Sequence, residues 1–144
     1  MSICFWVFHA DTTRAIIFGD YNVTGGNNFN IELATNHTLR WYWSSPDIGI
    51  SAMNVGLSTW THVAFTYDGA ILKGYINGVE KYSNTVTLSA KNRSSGEYYI
   101  GRDNRTGTTT LNGKLNDFRI YDHCLSVKEI EEIAKGLVFH LKLD

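Results

Sequence analysis

Two tight-turn signals within residues 60–82, where apolar and smaller or polar side chains largely alternate, constrain the fold of this chain most. In residues 63–67 every second side chain is large and apolar, and residues 72–76 return after Asp68–Gly69. Asn77–Gly78 repeats the turn signal and leads into a third run. Asp-Gly or Asn-Gly between two alternating runs is a strong hairpin signal. The stretch therefore predicts a three-strand antiparallel meander.

The same period-two pattern recurs along most of the chain. Aromatic residues make up 13% of the sequence, and 13 glycines stand against a single proline, which favours strands joined by turns. The length of 144 residues suits one domain with a sizeable core. We therefore predict a single all-β domain over residues 1–144, a two-sheet antiparallel β-sandwich or jelly roll. Besides the meander, strands are predicted at 2–8, 15–18, 29–33, 39–43, 48–53, 98–100 and 115–121.

One short helix is expected near the C-terminus. Ser126 is a suitable N-cap, Glu129 completes a capping box, and Gly136 ends the apolar stripe. Residues 137–143 then alternate again, with Leu or Phe at every second position, which predicts one more strand.

Charge and composition exclude several functional classes. The 13 basic and 14 acidic residues leave a net charge of -1, so a nucleic-acid partner is not expected. No apolar run reaches the length that spans a bilayer, so membrane insertion is not expected. Residues 1–8 lack the features of a signal peptide, so either export information lies outside this sequence or the protein reaches its site of action another way. Cys4 and Cys124 lie in apolar runs and are predicted to be two buried thiols, in preference to a disulfide bridge or a metal site.

Two sequence blocks resemble a known family. The first is Trp60-Thr-His-Val-Ala-Phe-Thr-Tyr-Asp-Gly with Leu72-Lys-Gly-Tyr-Ile-Asn-Gly-Val, and the second is Tyr99-Ile-Gly-Arg with the run 111–126. Together they are similar to the signatures of laminin-G domains of the concanavalin A-like lectin/glucanase superfamily, over roughly residues 2–135. The resemblance implies a jelly roll on a cell surface, a secreted protein or a phage structural protein, hence an extracellular or virion-surface location. It also implies that Trp6 and Trp60 are core residues.

The resemblance leaves one strand out of place. Residues 3–7 look like a later strand of the family, so the family's opening strand is missing in front of them. Residues 137–143 resemble that opening strand at the other end of the chain. We expect this segment to fill the empty edge position, either within its own chain or on a neighbouring chain in a homo-oligomer.

Catalysis is not expected. Relatives that cleave polysaccharides carry two carboxylates on one strand face, and no predicted strand here has such a pair. The acidic cluster Glu129, Glu131 and Glu132 lies on the predicted helix, where a solvated face explains it. The five histidines are scattered without zinc-ligand spacing.

A sugar site is the first candidate for function. Trp41 and Trp43 point to one strand face, and exposed indoles can stack on a pyranose. Tyr21, Asn27 and Asn28 in the Gly-rich turn are suited to binding hydroxyl groups. The alternative is that both tryptophans belong to the core.

A calcium ion is a further candidate, although no cofactor is required. The resemblance suggests a rim site, for which Asp20, Asp103 and Asn104 are the available ligands. A calcium ion takes six to eight oxygens, and no loop concentrates carboxylates. Arg119, which matches a family arginine, is expected to form a structural ion pair or to hydrogen-bond a turn.

Two functions therefore remain open from the sequence. One is a non-catalytic recognition or adhesion module that binds carbohydrate on a surface. The other is a structural or protein-interaction module of a phage virion, fibre or surface assembly.

Overall fold

The computed structural model describes residues 1–20, 29–43, 47–88, 98–102 and 109–136. Within these ranges the chain forms ten strands and one helix, in the places that the alternation predicted. Their bounds are β1 Ser2–His9, β2 Ala15–Asp20, β3 Phe29–Leu33, β4 Thr38–Tyr42, β5 Asp47–Asn54, β6 Thr61–Tyr67, β7 Ile71–Ile76, β8 Val79–Thr85, β9 Tyr99–Ile100, β10 Gly113–Tyr121 and α1 Val127–Ala134.

The described strands form two antiparallel sheets. Sheet A has the order β10-β1-β6-β7-β8, and sheet B has the order β5-β4-β3-β2-β9. Strand β5 packs over β7 and β8, so β9 and β10 are edge strands on the same side of the sandwich. The predicted all-β sandwich with one short helix is confirmed.

The core lies between the two sheets. Phe5 and Phe65 project from sheet A, and Ile31 and Trp41 project from sheet B; all four are buried. The ring centroids of Trp41 and Phe65 lie 5.1 Å apart, which joins the two layers. Burying each such side chain contributes about 1.5–3 kcal/mol. This core fixes the sheets on which any functional side chains are placed.

The predicted meander is present, with both of its turns. Asn77 and Gly78 have φ angles of 49° and 81°, the left-handed pair that a tight hairpin turn requires. At the other turn the Asp68 carboxylate accepts hydrogen bonds from the Ala70 and Ile71 N–H groups, at 2.8 and 2.7 Å. Local chemistry thus fixes the register of β6, β7 and β8.

Helix α1 covers part of the outer face of sheet A. Ser126 and Glu129 form the predicted capping box, which fixes the start of the helix. Ile130 is fully buried against Ala64 and Tyr75 of the sheet. Strand β1 is therefore covered on both faces near its start, as its apolar sequence predicted.

The two cysteines, both predicted to be buried, differ in their exposure. Cys4 is a buried free thiol, and its burial raises its pKa to about 11. Cys124 is a free thiol too but is exposed, so the prediction of burial is wrong for it. Cys124 lies in the connection between β10 and α1, where apolar neighbours in the sequence do not by themselves bury a side chain.

The predicted strand 137–143 lies outside the described residues.

Candidate functional site

An aromatic groove of about 490 Å³ lies on the outer face of sheet A, where α1 leaves the sheet uncovered. It combines two indole side chains with an amide, a carboxylate and a guanidinium group. We define the aromatic groove by these side chains, which are Trp6, Trp60, Asn116, Asp117 and Arg119. Gly136, directly after α1, completes its lining.

Strand register brings the groove residues together. On β1, Trp6 pairs with His62 of β6 on one side and with Asn116 of β10 on the other. Trp60 lies just before β6, and its ring packs against Phe8 at 5.8 Å between centroids. Phe8 follows Trp6 by two residues and so points to the same face of the sheet. The groove thus draws on three neighbouring strands.

A β-bulge in β10 places the charged part of the groove. The pairing runs from Cys4–Arg119 to Trp6–Asn116, so β10 has one extra residue opposite Phe5. Asp117 occupies the bulge with a φ of 51°, a conformation that Asp tolerates better than most residues. The bulge places Asp117 in the groove, while Phe118 stacks on Phe5 in the core at 5.9 Å.

Arg119 holds Asp117 in a fixed orientation. Its Nε donates to Oδ1 at 2.6 Å and its Nη2 donates to Oδ2 at 2.7 Å. This is the bidentate geometry that pairs a planar guanidinium with a carboxylate. The structural ion pair expected for Arg119 is confirmed. The pair presents a hydrogen-bond acceptor and a donor side by side, with no net charge.

A buried histidine lies beside the groove. His62 is fully buried and packs against Trp6, with ring centroids 5.4 Å apart. Neither ring nitrogen has a hydrogen-bond partner among the described residues. Desolvation by burial lowers the pKa of His62 to about 4, so the ring is neutral at pH 7. His62 thus supports Trp6 as an uncharged packing group.

The structure corrects the interpretation of Trp6 and Trp60 as core residues. Trp60 is 41% exposed, and Trp6 is half-buried. Both lie on the outer face of sheet A, beyond the cover that α1 provides. The alternation of β1 and β6 shows two faces but does not tell which one a helix covers.

Trp41 lies in the core of the sandwich, as the alternative to a sugar-binding role predicted. It is 1% exposed, and it packs against Phe29 and Phe65. Trp43 stacks parallel to Trp41 with centroids 6.3 Å apart and is half-buried against the same core. Trp41 therefore offers no ring face to a ligand at the surface. The inner-face register of β4 is the physical reason.

Other predicted site residues lie largely outside the described part of the chain. This holds for Tyr21, Asn27 and Asn28 of the sugar site, and for Asp103 and Asn104 of the calcium site. Asp20 is described and is buried at the end of β2. Among the described residues there is no cluster of three His, Cys, Asp or Glu side chains suited to a metal ion. The calcium site stays a prediction.

Comparison with known proteins identifies the family. The family model of the concanavalin A-like lectin/glucanases superfamily, of laminin-G type, matches residues 1–131. The chain belongs to this superfamily. The predicted resemblance, which rested on the two sequence blocks, is thereby confirmed.

Two solved structures that are similar to this chain either contain a bound sugar or are described as binding carbohydrate. Domain 4 of AbnA, an extracellular arabinanase from Geobacillus stearothermophilus whose structure was solved with arabinotriose, is 26% identical with a TM-score of 0.67; the match covers 92% of this chain and 65% of that one. A protein from Bacteroides ovatus described as carbohydrate-binding is 16% identical with a TM-score of 0.70, over 91% of this chain and 40% of that one. The latter likeness shows the fold alone.

Two further proteins are similar to this chain. A heptameric SAP-like pentraxin from Limulus polyphemus has a TM-score of 0.69 at 17% identity, over 92% of this chain and 68% of that one. Human usherin is 26% identical over 129 residues, which are 83% of this chain and 2% of usherin. The chain thus spans a small fraction of this curated relative. In the described residues no helix is long and apolar enough to cross a bilayer.

Proposed function

We propose that this chain is a non-catalytic carbohydrate-binding module and that the aromatic groove holds the sugar. The observation that carries the proposal is the pairing of two accessible indoles with a fixed carboxylate–guanidinium pair. Indole faces stack on the apolar face of a sugar ring, and polar groups at the edge of the groove orient its hydroxyl groups. The relative solved with arabinotriose supports a sugar ligand as the class.

Each groove residue has a role in this proposal. Trp60, as the more exposed indole, stacks on one sugar ring, and Trp6 limits the groove beside it. Asp117 accepts from one hydroxyl group while Arg119 donates to its neighbour, and Asn116 offers both a donor and an acceptor. Since the ion pair has no net charge, a neutral sugar fits the groove better than an anionic one.

The chemistry of the groove favours binding over hydrolysis. Glycoside hydrolysis generally uses two carboxyl groups on opposite sides of the scissile bond. Among the described groove residues there is one carboxylate, Asp117, and Arg119 engages both of its oxygens. We therefore propose recognition without cleavage, at a location outside the cell, as in the extracellular arabinanase relative.

The test is a glycan-array screen of the purified chain, followed by calorimetry on the best ligand. Trp60→Ala is expected to weaken binding roughly 5- to 150-fold, because about 1–3 kcal/mol of stacking and burial is lost. Tyr98→Ala is the matched control, since Tyr98 is exposed and lies at the edge of sheet B. Repeating the screen with a chelator tests the predicted calcium dependence. A blank array with folded protein would contradict the proposal.

The second candidate is a structural or protein-interaction module of a virion, fibre or surface assembly. One observation favours it, which is the exposure of apolar side chains at the β9–β10 side of the sandwich. Exposed apolar edges promote association between chains. Concentration-dependent association in sedimentation, together with a blank array, would favour this candidate.

A further inference from the structure

Two histidines that lie 28 residues apart in the sequence meet at one end of the sandwich. His9 is the last residue of β1 in sheet A, and His37 lies in the turn between β3 and β4 of sheet B. Their Nδ1 atoms are 3.3 Å apart, and their ring planes are inclined at 67°. We define the histidine pair by these two residues. Since their spacing in the sequence is far from that of a local metal-binding motif, only the structure shows the pair.

Main-chain hydrogen bonds hold both histidines in place. The His9 carbonyl accepts from the Ser58 N–H at 2.8 Å, and the His37 carbonyl accepts from the Val55 N–H at 2.9 Å. The segment between β5 and β6 therefore contacts both members of the pair. His37 has a φ of 61°, a left-handed conformation that His adopts more often than most residues, and its N–H donates to the Ala34 carbonyl at 2.9 Å. The histidine pair is thus positioned before any ligand binds.

A carboxylate next to His9 favours one tautomer of its ring. His9 Nε2 is buried without an aligned hydrogen-bond partner among the described residues, and Asp11 Oδ1 faces it at 3.4 Å. Asp11 is held by the Thr13 hydroxyl at 2.6 Å and by the Asn112 amide at 2.7 Å. Because a carboxylate only accepts hydrogen bonds, we assign the ring proton of His9 to Nε2. The lone pair of His9 then lies on Nδ1, the atom that contacts His37.

The distance between the two Nδ1 atoms matches the spacing of two ligands on one metal ion. Nitrogens bonded to a tetrahedral Zn²⁺ at about 2.0–2.1 Å lie roughly 3.3–3.4 Å apart. Imidazole suits zinc, copper and nickel, whereas calcium and magnesium take oxygen ligands. Metal-binding histidines commonly donate their other ring N–H to a carboxylate, and Asp11 occupies that position beside His9. A direct hydrogen bond between the rings is the alternative, although 3.3 Å is longer than the usual range of about 2.7–3.2 Å for N–H···O bonds.

We infer that the histidine pair binds a divalent transition-metal ion of the zinc class through both Nδ1 atoms. Among the described residues no third His, Cys, Asp or Glu completes a cluster, so water fills the remaining coordination positions. His37 carries its ring proton on Nε2 when the ion is bound. The ion links the end of β1 to the β3–β4 turn and so joins sheet A to sheet B. The site shares no residue with the aromatic groove or with the predicted calcium site, so the inference is independent of both.

A titration of the full chain with Zn²⁺, followed by nuclear magnetic resonance of the imidazole signals, tests the inference. The His9 and His37 signals are expected to shift together and to saturate at one ion per chain, whereas Ca²⁺ should leave them unchanged. His37→Asn should weaken Zn²⁺ binding about tenfold or more, and Asn also tolerates the left-handed backbone of this position. His123→Asn, at an exposed histidine beside Asp122, is the matched control and should bind Zn²⁺ as the wild type does.

Urea denaturation provides a second measurement, because an ion that binds only the folded chain stabilises it. Saturating Zn²⁺ should raise the urea midpoint of the wild type and of His123→Asn but not that of His37→Asn. Equal losses of Zn²⁺ binding in the two variants would overturn the inference. Zn²⁺ that leaves the His9 and His37 signals of the wild type in place would also overturn it, and the two rings would then be joined by a hydrogen bond alone. The wild-type signals decide the question by themselves if His37→Asn does not fold.

Discussion

Arg119 donates hydrogen bonds to both carboxylate oxygens of Asp117, at 2.6 Å from Nε to Oδ1 and 2.7 Å from Nη2 to Oδ2. The bulge in β10 allows this pairing, because it places two residues opposite Phe5 and leaves Asp117 beside Arg119 on the outer face. The pair is partly exposed, so it contributes little to stability. Its fixed geometry matters for recognition instead.

Asp117→Asn is therefore expected to weaken sugar binding more than it weakens the fold. A lost charge-assisted hydrogen bond to the ligand costs about 1.5 kcal/mol or more, which is roughly a tenfold loss in affinity. The free energy of unfolding should change by less than about 1 kcal/mol. Calorimetry with the best glycan and urea denaturation measure the two effects. Glu80→Gln, in the exposed Lys73–Glu80 pair of the same sheet, is the control and should change neither.

Stability is expected to fall as the pH drops from about 6.5 towards 4. Burial lowers the pKa of His62 from 6.5 to about 4, so below pH 6.5 the unfolded chain takes up a proton that the folded chain refuses. Above pH 6.5 His62 is neutral in both the folded and the unfolded chain, so it costs no stability there. A pKa difference of this size lowers the free energy of unfolding by about 3 kcal/mol once the pH is below 4. Burial lowers the pKa of His9 as well, which adds to the same slope.

The variant His62→Phe should flatten this pH dependence, because it removes the titrating group while keeping a ring under Trp6. Urea denaturation at pH 7.5, 6.0 and 4.5 measures the slope. His123→Gln, at an exposed histidine, is the control and should leave the slope as in the wild type. An unchanged slope in His62→Phe would show that His62 is not the main titrating group.

Ile130→Ala is expected to destabilise the protein by about 2–5 kcal/mol. Ile130 is fully buried between α1 and sheet A, and removing its side chain leaves a cavity against Ala64 and Tyr75. Val127→Ala on the same helix removes an exposed side chain and should cost less than about 1 kcal/mol. Chemical denaturation of the two variants measures the difference. A small effect of Ile130→Ala would mean that α1 is loosely attached to the sheet.

Short-range signals in the sequence predicted most of the fold. Asp68–Gly69 and Asn77–Gly78 carry their own turn chemistry, and Ser126 and Glu129 form the helix cap through contacts three residues apart. Such features need no information from distant parts of the chain. The alternation of the remaining strands gave their positions for the same reason.

The candidate site was harder to predict, since it depends on contacts between distant residues. Alternation shows that Trp41 and Trp60 each lie on one face of a strand, but it does not say which face is covered. In β1 and β6 nearly every side chain is buried, so the pattern has little contrast between the faces. The bulge at Asp117 has no local signal other than an Asn-Asp pair that tolerates left-handed backbone. Only the register between β1 and β10 shows that Trp6 and Asn116 are neighbours.

The most direct test of the account is a nuclear magnetic resonance titration of the four tryptophan indole N–H signals with the best glycan from the array. The protein has four tryptophans, two in the aromatic groove and two associated with the core, so each signal reports on one position. We expect the indole N–H signals of Trp6 and Trp60 to shift on binding and those of Trp41 and Trp43 to stay unchanged. Shifts confined to Trp41 and Trp43, or saturation of binding without a shift at Trp60, would contradict it.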